Sequence, residues 1–326
     1  MAKSSPKYTP KEYRIYLNNS SQKHILVEGK NDKYFLERML SYLANEIDKP
    51  ELTEQVVVDS AASLIESESG TGSNKEKVEE IANSVVDKPY SQRFIAFIDR
   101  ELYLFDWDYE QTQILQDNFP RHNIEKRIIR TRGHSLENYL FEVDIVSNFF
   151  NLNTTIPNPQ IATNLFKQIF KSVIYSACTI GLAATKSSLL QKIESGILWR
   201  NFIELTSGEI NFLLEDWLDF LIDKRSVSNS KISEIKHNYK TYIQLINQTS
   251  FEIVRWLSHG HIGYDFLKEA YIKCVMQISK EAESNVNWAK KDKMLQQLIN
   301  YCVEEILSND RMYFQEIFEM LDLSRD

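Results

Sequence analysis

At 326 residues and 38.2 kDa the chain is long enough for two domains of ordinary size, each with its own core. Hydrophobic residues at 43% and charged residues at 26% describe a soluble globular protein, and no run approaches the roughly 18 apolar residues of a membrane span, so no membrane association is expected. A net charge of −8 and a pI near 5.5 exclude a uniformly basic nucleic-acid binder, but not a local basic patch or a site whose charge a divalent ion inverts.

The first 19 residues are polar, with Lys3, Lys7, Lys11 and Arg14 but no apolar segment, which is not the pattern of a secretory signal. Cys178, Cys274 and Cys302 are scattered and form no CxxC pair, as expected of small core residues in a reducing cytoplasm, with no zinc signature.

Ile25-Leu26-Val27-Glu28 is an apolar run ending in an acid, the pattern of a strand buried on both faces, and Gly29 releases the backbone into a helix from Asp32 to about Ala44. Gln55 to Asp59 predicts a second strand, again closed by an acid. From Ser60 to Asn74 the composition turns to Ser, Glu and Gly, which predicts a mobile loop, and Lys75 to Val86 returns to helical spacing. Arg93 to Asp99 predicts the third strand and Arg127 to Thr131 the fourth. Strands alternating with helices imply an α/β domain with a mostly parallel sheet.

Past about Val143 the pattern changes. Asn151 to Pro159 reads as a linker, and helices are expected at Asn164–Thr179, Ser187–Leu205, Gly208–Leu221, Ser230–Asn247, Phe251–Leu257, Tyr264–Ala282, Val286–Ser308 and Met312–Leu321. The expected organisation is a polar lead-in over 1–22, a catalytic α/β domain over 23–145, and an all-helical domain over 146–326 for partner docking or dimerisation.

Acidic residues close the proposed strands: Glu28 with Asp32, then Asp99 and Glu101, and Glu137 after the fourth. If the chain stays extended through Asp99-Arg100-Glu101, the two acids share one side and Arg100 turns away. Hard oxygen ligands at the carboxyl edge of a parallel sheet suit Mg²⁺ or Mn²⁺. A metal so held acidifies water and neutralises charge building on a phosphodiester. Arg121, His122, Lys126, Arg127, Arg130, Arg132 and His134 form the one basic stretch, and Lys75 follows two glycines as a loop-borne cation. Each feature also has a structural reading: Glu28 and Glu137 as acids favoured at a helix start, Asp99 and Glu101 as a solvated strand end, Lys75 as a plain helix-start residue, His134 as a structural hydrogen-bonding group, and His259-Gly260-His261 as a turn between helices. The chain has no GxxxxGK[ST] loop, so it is not itself a P-loop ATPase.

Val27-Glu28-Gly29-Lys30-Asn31-Asp32 resembles the acidic motif that closes the first strand of Toprim domains, and Asp99-Arg100-Glu101 resembles their DxD motif, here as DxE. With His134-Ser135-Leu136-Glu137-Asn138-Tyr139-Leu140, which is similar to an H-S-x-E-N-Y-L element, the stretch from Lys23 to Leu140 resembles the DUF4435 family. That family is Toprim-like, related to the OLD-type nucleases, and includes a nuclease subunit of an anti-phage defence system.

The resemblance implies a metal-dependent nuclease of DNA or RNA, tRNA included, acting in the cytoplasm as a toxic effector under an ABC-type, OLD-like ATPase partner. It implies Glu28 as a catalytic or metal-adjacent carboxylate, Asp99 and Glu101 as metal ligands, Asp32 as a supporting ligand and Glu137 as a ligand or outer acid. Lys75, Arg130, Arg132 and His134 are the expected substrate contacts. The competing expectation is a Toprim-fold module that binds partners or senses without catalysis.

Overall fold

The structure, a computed structural model, describes residues 8–46, 48–65, 72–206, 209–279, 291–309, 317 and 319–321. In chain order the elements are α1 (Pro10–Asn19), β1 (Lys23–Val27), α2 (Lys30–Glu46), α3 (Leu52–Gln55), β2 (Val56–Ser60), α4 (Asn74–Val85), β3 (Phe94–Ile98), β4 (Phe105–Asp106), β5 (Gln116–Asp117), β6 (Asn123–Glu125) and β7 (Ile128–Arg130). There follow α5 (Val143–Leu152), α6 (Pro159–Lys186), α7 (Leu190–Ile193), β8 (Ile203–Thr206), β9 (Glu209–Phe212), α8 (Leu214–Arg225), α9 (Asn229–Asn247), α10 (Phe251–Leu257), α11 (Gly260–Ile278) and α12 (Lys291–Asn309). Two compact units emerge: Met1–Arg100 with Arg121–Arg132 and Asp292–Asp326, and Glu101–Pro120 with Gly133–Lys291. Among the described residues, no helix is long and apolar enough to cross a membrane.

The first unit is an α/β layer structure around a five-stranded sheet of order β2-β1-β3-β7-β6. The pairs β1–β2, β1–β3 and β3–β7 are parallel, and β6 closes the edge antiparallel to β7. Every residue of β3 is buried, as the uninterrupted Phe94-Ile95-Ala96-Phe97-Ile98 run requires of a strand covered on both faces. Leu26, Ala96 and Ile98 pack with Val78, Ile81 and Val85 of α4 and with Tyr13 and Leu17 of α1. The lead-in is thus partly structured: Thr9 and Glu12 form a reciprocal cap at the start of α1, and Pro10 occupies its first turn. Ser73 and Glu76 cap α4 in the same way. Of the expected loop from Ser60 to Asn74, Ala61–Ser63 is a 3-10 turn and residues 66–71 lie outside the described residues.

The second unit is mostly helical. Its centre is α6, 28 residues long and flanked by α5, α9, α10 and α11, with Phe166, Phe170, Val173, Ala177 and Ala184 in its buried face. The expected all-helical character needs correction at two segments. Ser187–Leu205 holds only the short α7 and a 3-10 turn at Trp199–Phe202 before entering β8, and Gly208–Leu221 begins as β9, so the two form an antiparallel hairpin before α8. Aromatic packing explains the outcome. Trp199 sits 4.5 Å from the Phe266 ring, and Phe212 sits 5.6 Å from that of Trp217. An extended hairpin delivers these rings to one cluster, and ring burial outweighs the weak helical spacing of the segment. The expected helix Val286–Ser308 is seen as α12, with 286–290 outside the described residues; most of Met312–Leu321 also lies outside them.

Candidate functional site

Going from β1 to β2 the chain moves to one side of β1, and β3 then pairs on its other side, so the direction of strand addition reverses between β1 and β3. In open α/β sheets the crevice at the carboxyl ends of such a pair is where ligands bind. Parallel register sets Val27 opposite Phe97, which brings the residues just past each strand to one edge. There the Asp99 backbone N–H donates to Glu28 Oε1 at 2.9 Å. Lys75 Nζ, at the start of α4, donates to the Asp99 carbonyl at 3.2 Å. Three of the expected site residues, remote in sequence, thus meet at the reversal point.

Asp32 sits at the same edge with a local task. Its Oδ2 accepts from the Gly29 N–H at 2.7 Å, reaching back over the first turn of α2, and a Cβ on Gly29 would lie 3.0 Å from that oxygen. A compact acid in the first turn also suits the helix dipole.

The basic stretch is largely engaged within the first unit. Arg127 donates to the carbonyls of Phe94, Gln92 and Met320. Arg130 reaches Asn123, Glu125 and Glu79. Arg132 is buried and its carbonyl accepts from the guanidinium of Arg100, which is itself fully buried, while the Arg100 N–H donates to Thr131 Oγ1. These arginines tie strand ends together, which the sequence pattern alone did not distinguish from an open phosphate-binding face.

The extended Asp99-Arg100-Glu101 alternation needs correction: β3 ends at Ile98, and Glu101 has φ +53°, a left-handed turn residue rather than an extended one. Glu101 belongs to the second unit, where its side chain is exposed and its N–H donates to the His134 carbonyl at 2.7 Å.

In that second unit His134 to Leu140 forms a buried polar turn. Ser135 and Asn138 cap it reciprocally, and the Asn138 amide donates to the carbonyls of Arg255 at 2.6 Å and Ser258 at 2.9 Å. The His134 N–H donates to the Trp256 carbonyl at 2.7 Å. Glu137 is buried, accepts from the Ser135 hydroxyl at 2.7 Å, and stands 3.6 Å from Nδ1 of the half-exposed His261. Burial alone would push its carboxyl up, but the His261 imidazole, then the Ser135 hydroxyl, hold it below the usual carboxylate value. His259 occupies the N-cap position of α11 with its ring centroid 4.6 Å from that of His134 and the planes tilted by 44°, so the expected turn between helices is confined to Ser258 and His259, and Gly260 and His261 open α11 beside Glu137. Sequence spacing gave no sign of this, because the two segments are more than a hundred residues apart.

Among the described residues, no set of three or more His, Cys, Asp or Glu side chains converges as a metal site. The chemistry of the Glu28 and Asp99 side chains nevertheless fits a hard cation, since Mg²⁺ commonly takes only one or two protein carboxylates and fills its remaining positions with water and phosphate oxygens. Scanned against protein-family models the chain matches none, and a search of curated proteins returns no match.

Proposed function

We propose that the chain is a metal-dependent phosphodiester hydrolase acting on DNA or RNA, with a Toprim-like first unit. The observation that carries the reading is the meeting of Glu28, Asp99 and Lys75 at the point where strand order reverses. Glu28 and Asp99 are the residues that would hold Mg²⁺ or Mn²⁺, which when bound supplies Lewis acidity toward a phosphate and an acidified water. The Asp99 N–H fixes the Glu28 carboxylate, so that side chain is oriented before substrate arrives. Lys75 adds positive charge where a phosphate would approach. The Toprim resemblance adds an ABC-type ATPase as controlling partner in anti-phage defence, with the helical region as docking or dimerisation surface.

Purified protein with Mn²⁺ or Mg²⁺ should cut single- or double-stranded nucleic acid, lose the activity in excess EDTA, and lose it in Glu28→Ala. Equal cutting by wild type and variant overturns the assignment. The non-catalytic module is the second reading, favoured by the absence of a three-ligand cluster among the described residues. Mn²⁺ titration by calorimetry separates the two: heat that vanishes in Asp99→Ala supports the hydrolase, and no heat in wild type supports the module.

A further inference from the structure

A pocket of about 240 Å³ opens in the first unit at the carboxyl end of β2, lined by Tyr8, Tyr13, Tyr16, Lys33, Asp59 and Ser60 among others. It adjoins the edge described above, since Ser60 Oγ donates to the Glu28 carbonyl at 3.4 Å. Its volume is below the roughly 300–1,000 Å³ of ordinary ligand pockets, which suits one planar ring. Tyr8 and Tyr16 stack at 5.2 Å with an interplanar angle of 17°, giving the aromatic wall on which bases stack.

Asp59 is held from behind by one oxygen. The Tyr13 hydroxyl donates to Oδ2 at 2.7 Å, and His24 Nδ1 contacts the same atom at 3.1 Å, its ring fixed in turn by Ser20 Oγ at 2.8 Å from Nε2. Tyr13 and His24 are both buried, whereas the Asp59 side chain is 26% exposed. Burial, then the adjacent Asp59 carboxylate, pushes the Tyr13 phenol up, so it stays an O–H donor. Among the described residues, Oδ1 takes no hydrogen bond. Two buried donors therefore orient a carboxylate whose second oxygen is an acceptor at the pocket. Lys33 adds a cation, 3.5 Å from the Glu37 carboxylate one turn along α2.

We infer that this pocket receives one unpaired nucleobase of the strand presented to the Glu28–Asp99 edge, a base whose exocyclic amine donates to Asp59 Oδ1 while its ring stacks on the tyrosines. Adenine, cytosine and guanine carry such an amine; uracil and thymine do not. The inference rests on the hydrolase reading of the neighbouring edge, and names the part of the substrate that lies beside it.

The test uses full-length Glu28→Gln protein in EDTA, so that binding is read without cleavage. The probes are single-stranded tetranucleotides of adenine and of uracil or thymine, with AMP as the free nucleotide. The adenine tetramer should bind about tenfold more tightly than the uracil or thymine one and more tightly than AMP. Tyr16→Ala should weaken it about tenfold while Tyr16→Phe retains it, and Asp59→Asn should erase the base preference. Equal binding of the tetramers, unchanged binding in Tyr16→Ala, or AMP binding as tightly as the tetramer would overturn the proposal. Base preference in a chain that never cleaves keeps the pocket and removes the hydrolase; cleavage without base preference does the reverse.

Discussion

Glu28 Oε1 accepts the backbone N–H of Asp99 across 71 positions of sequence, so the carboxylate is oriented by the main chain just past the end of the strand that pairs with its own. This bond separates two functions of one side chain, holding the edge together and carrying charge. Glu28→Gln keeps an acceptor for the Asp99 N–H and loses only the charge. Cleavage should therefore fall by at least about a hundredfold, the loss typical of removing a key charge-stabilising group, while the melting temperature stays close to wild type. Glu28→Ala should fall as far in activity and also lose about 1–3 kcal/mol, because a part-buried N–H is left without its acceptor. Paired cleavage assays and thermal melts check both arms; a Gln variant that melts as early as Ala would show the charge itself to be the structural element.

Asp32 offers the opposite balance. Its hydrogen bond to the Gly29 N–H satisfies an otherwise open donor at the start of α2. Asp32→Ala should cost about 1 kcal/mol in urea denaturation, with Asp32→Asn recovering most of it, since the amide oxygen also accepts.

Gly260 is the first residue of α11, and a Cβ there would collide with Ser135 Oγ and lie 2.8 Å from Glu137 Oε2. Gly260→Ala should destabilise the second unit by about 1–3 kcal/mol or more, although alanine is the better helix former. A denaturation midpoint at or above that of wild type would show that the Ser135–Glu137 turn can move aside.

Glu137 gives a pH signature. Its folded-state carboxyl is held below the usual value, so its contribution to stability is present above the unfolded value of about 4.3 and is lost as pH falls through the lower folded value. The stability gap between wild type and Glu137→Gln should be full near neutrality and shrink on acidification below about pH 4. Urea titrations at several pH values measure it; a gap that stays constant into acid would assign the loss to packing.

The sequence alone determined what short range determines. Uninterrupted Ile25-Leu26-Val27 and Phe94 to Ile98 specified strands covered on both faces, and helical spacing specified most of α4, because burial acts over a few neighbouring residues; α1, with its Thr9–Glu12 cap inside what reads as a polar lead-in, came only with the structure. Tertiary structure decided the rest. The paired strands β8 and β9 replaced the end of one expected helix and the start of the next because Trp199, Phe212, Trp217 and Phe266 pack against one another, a gain that local periodicity does not encode. Arg127 and Arg130 became ties between strand ends because carbonyls and carboxylates remote in sequence arrive beside them. Strand order likewise set Glu28 beside Asp99, and the fold of α1 onto the sheet set Tyr13 behind Asp59. Such pairings depend on which strands and helices become neighbours, and that is fixed by packing of the whole unit rather than by any one segment.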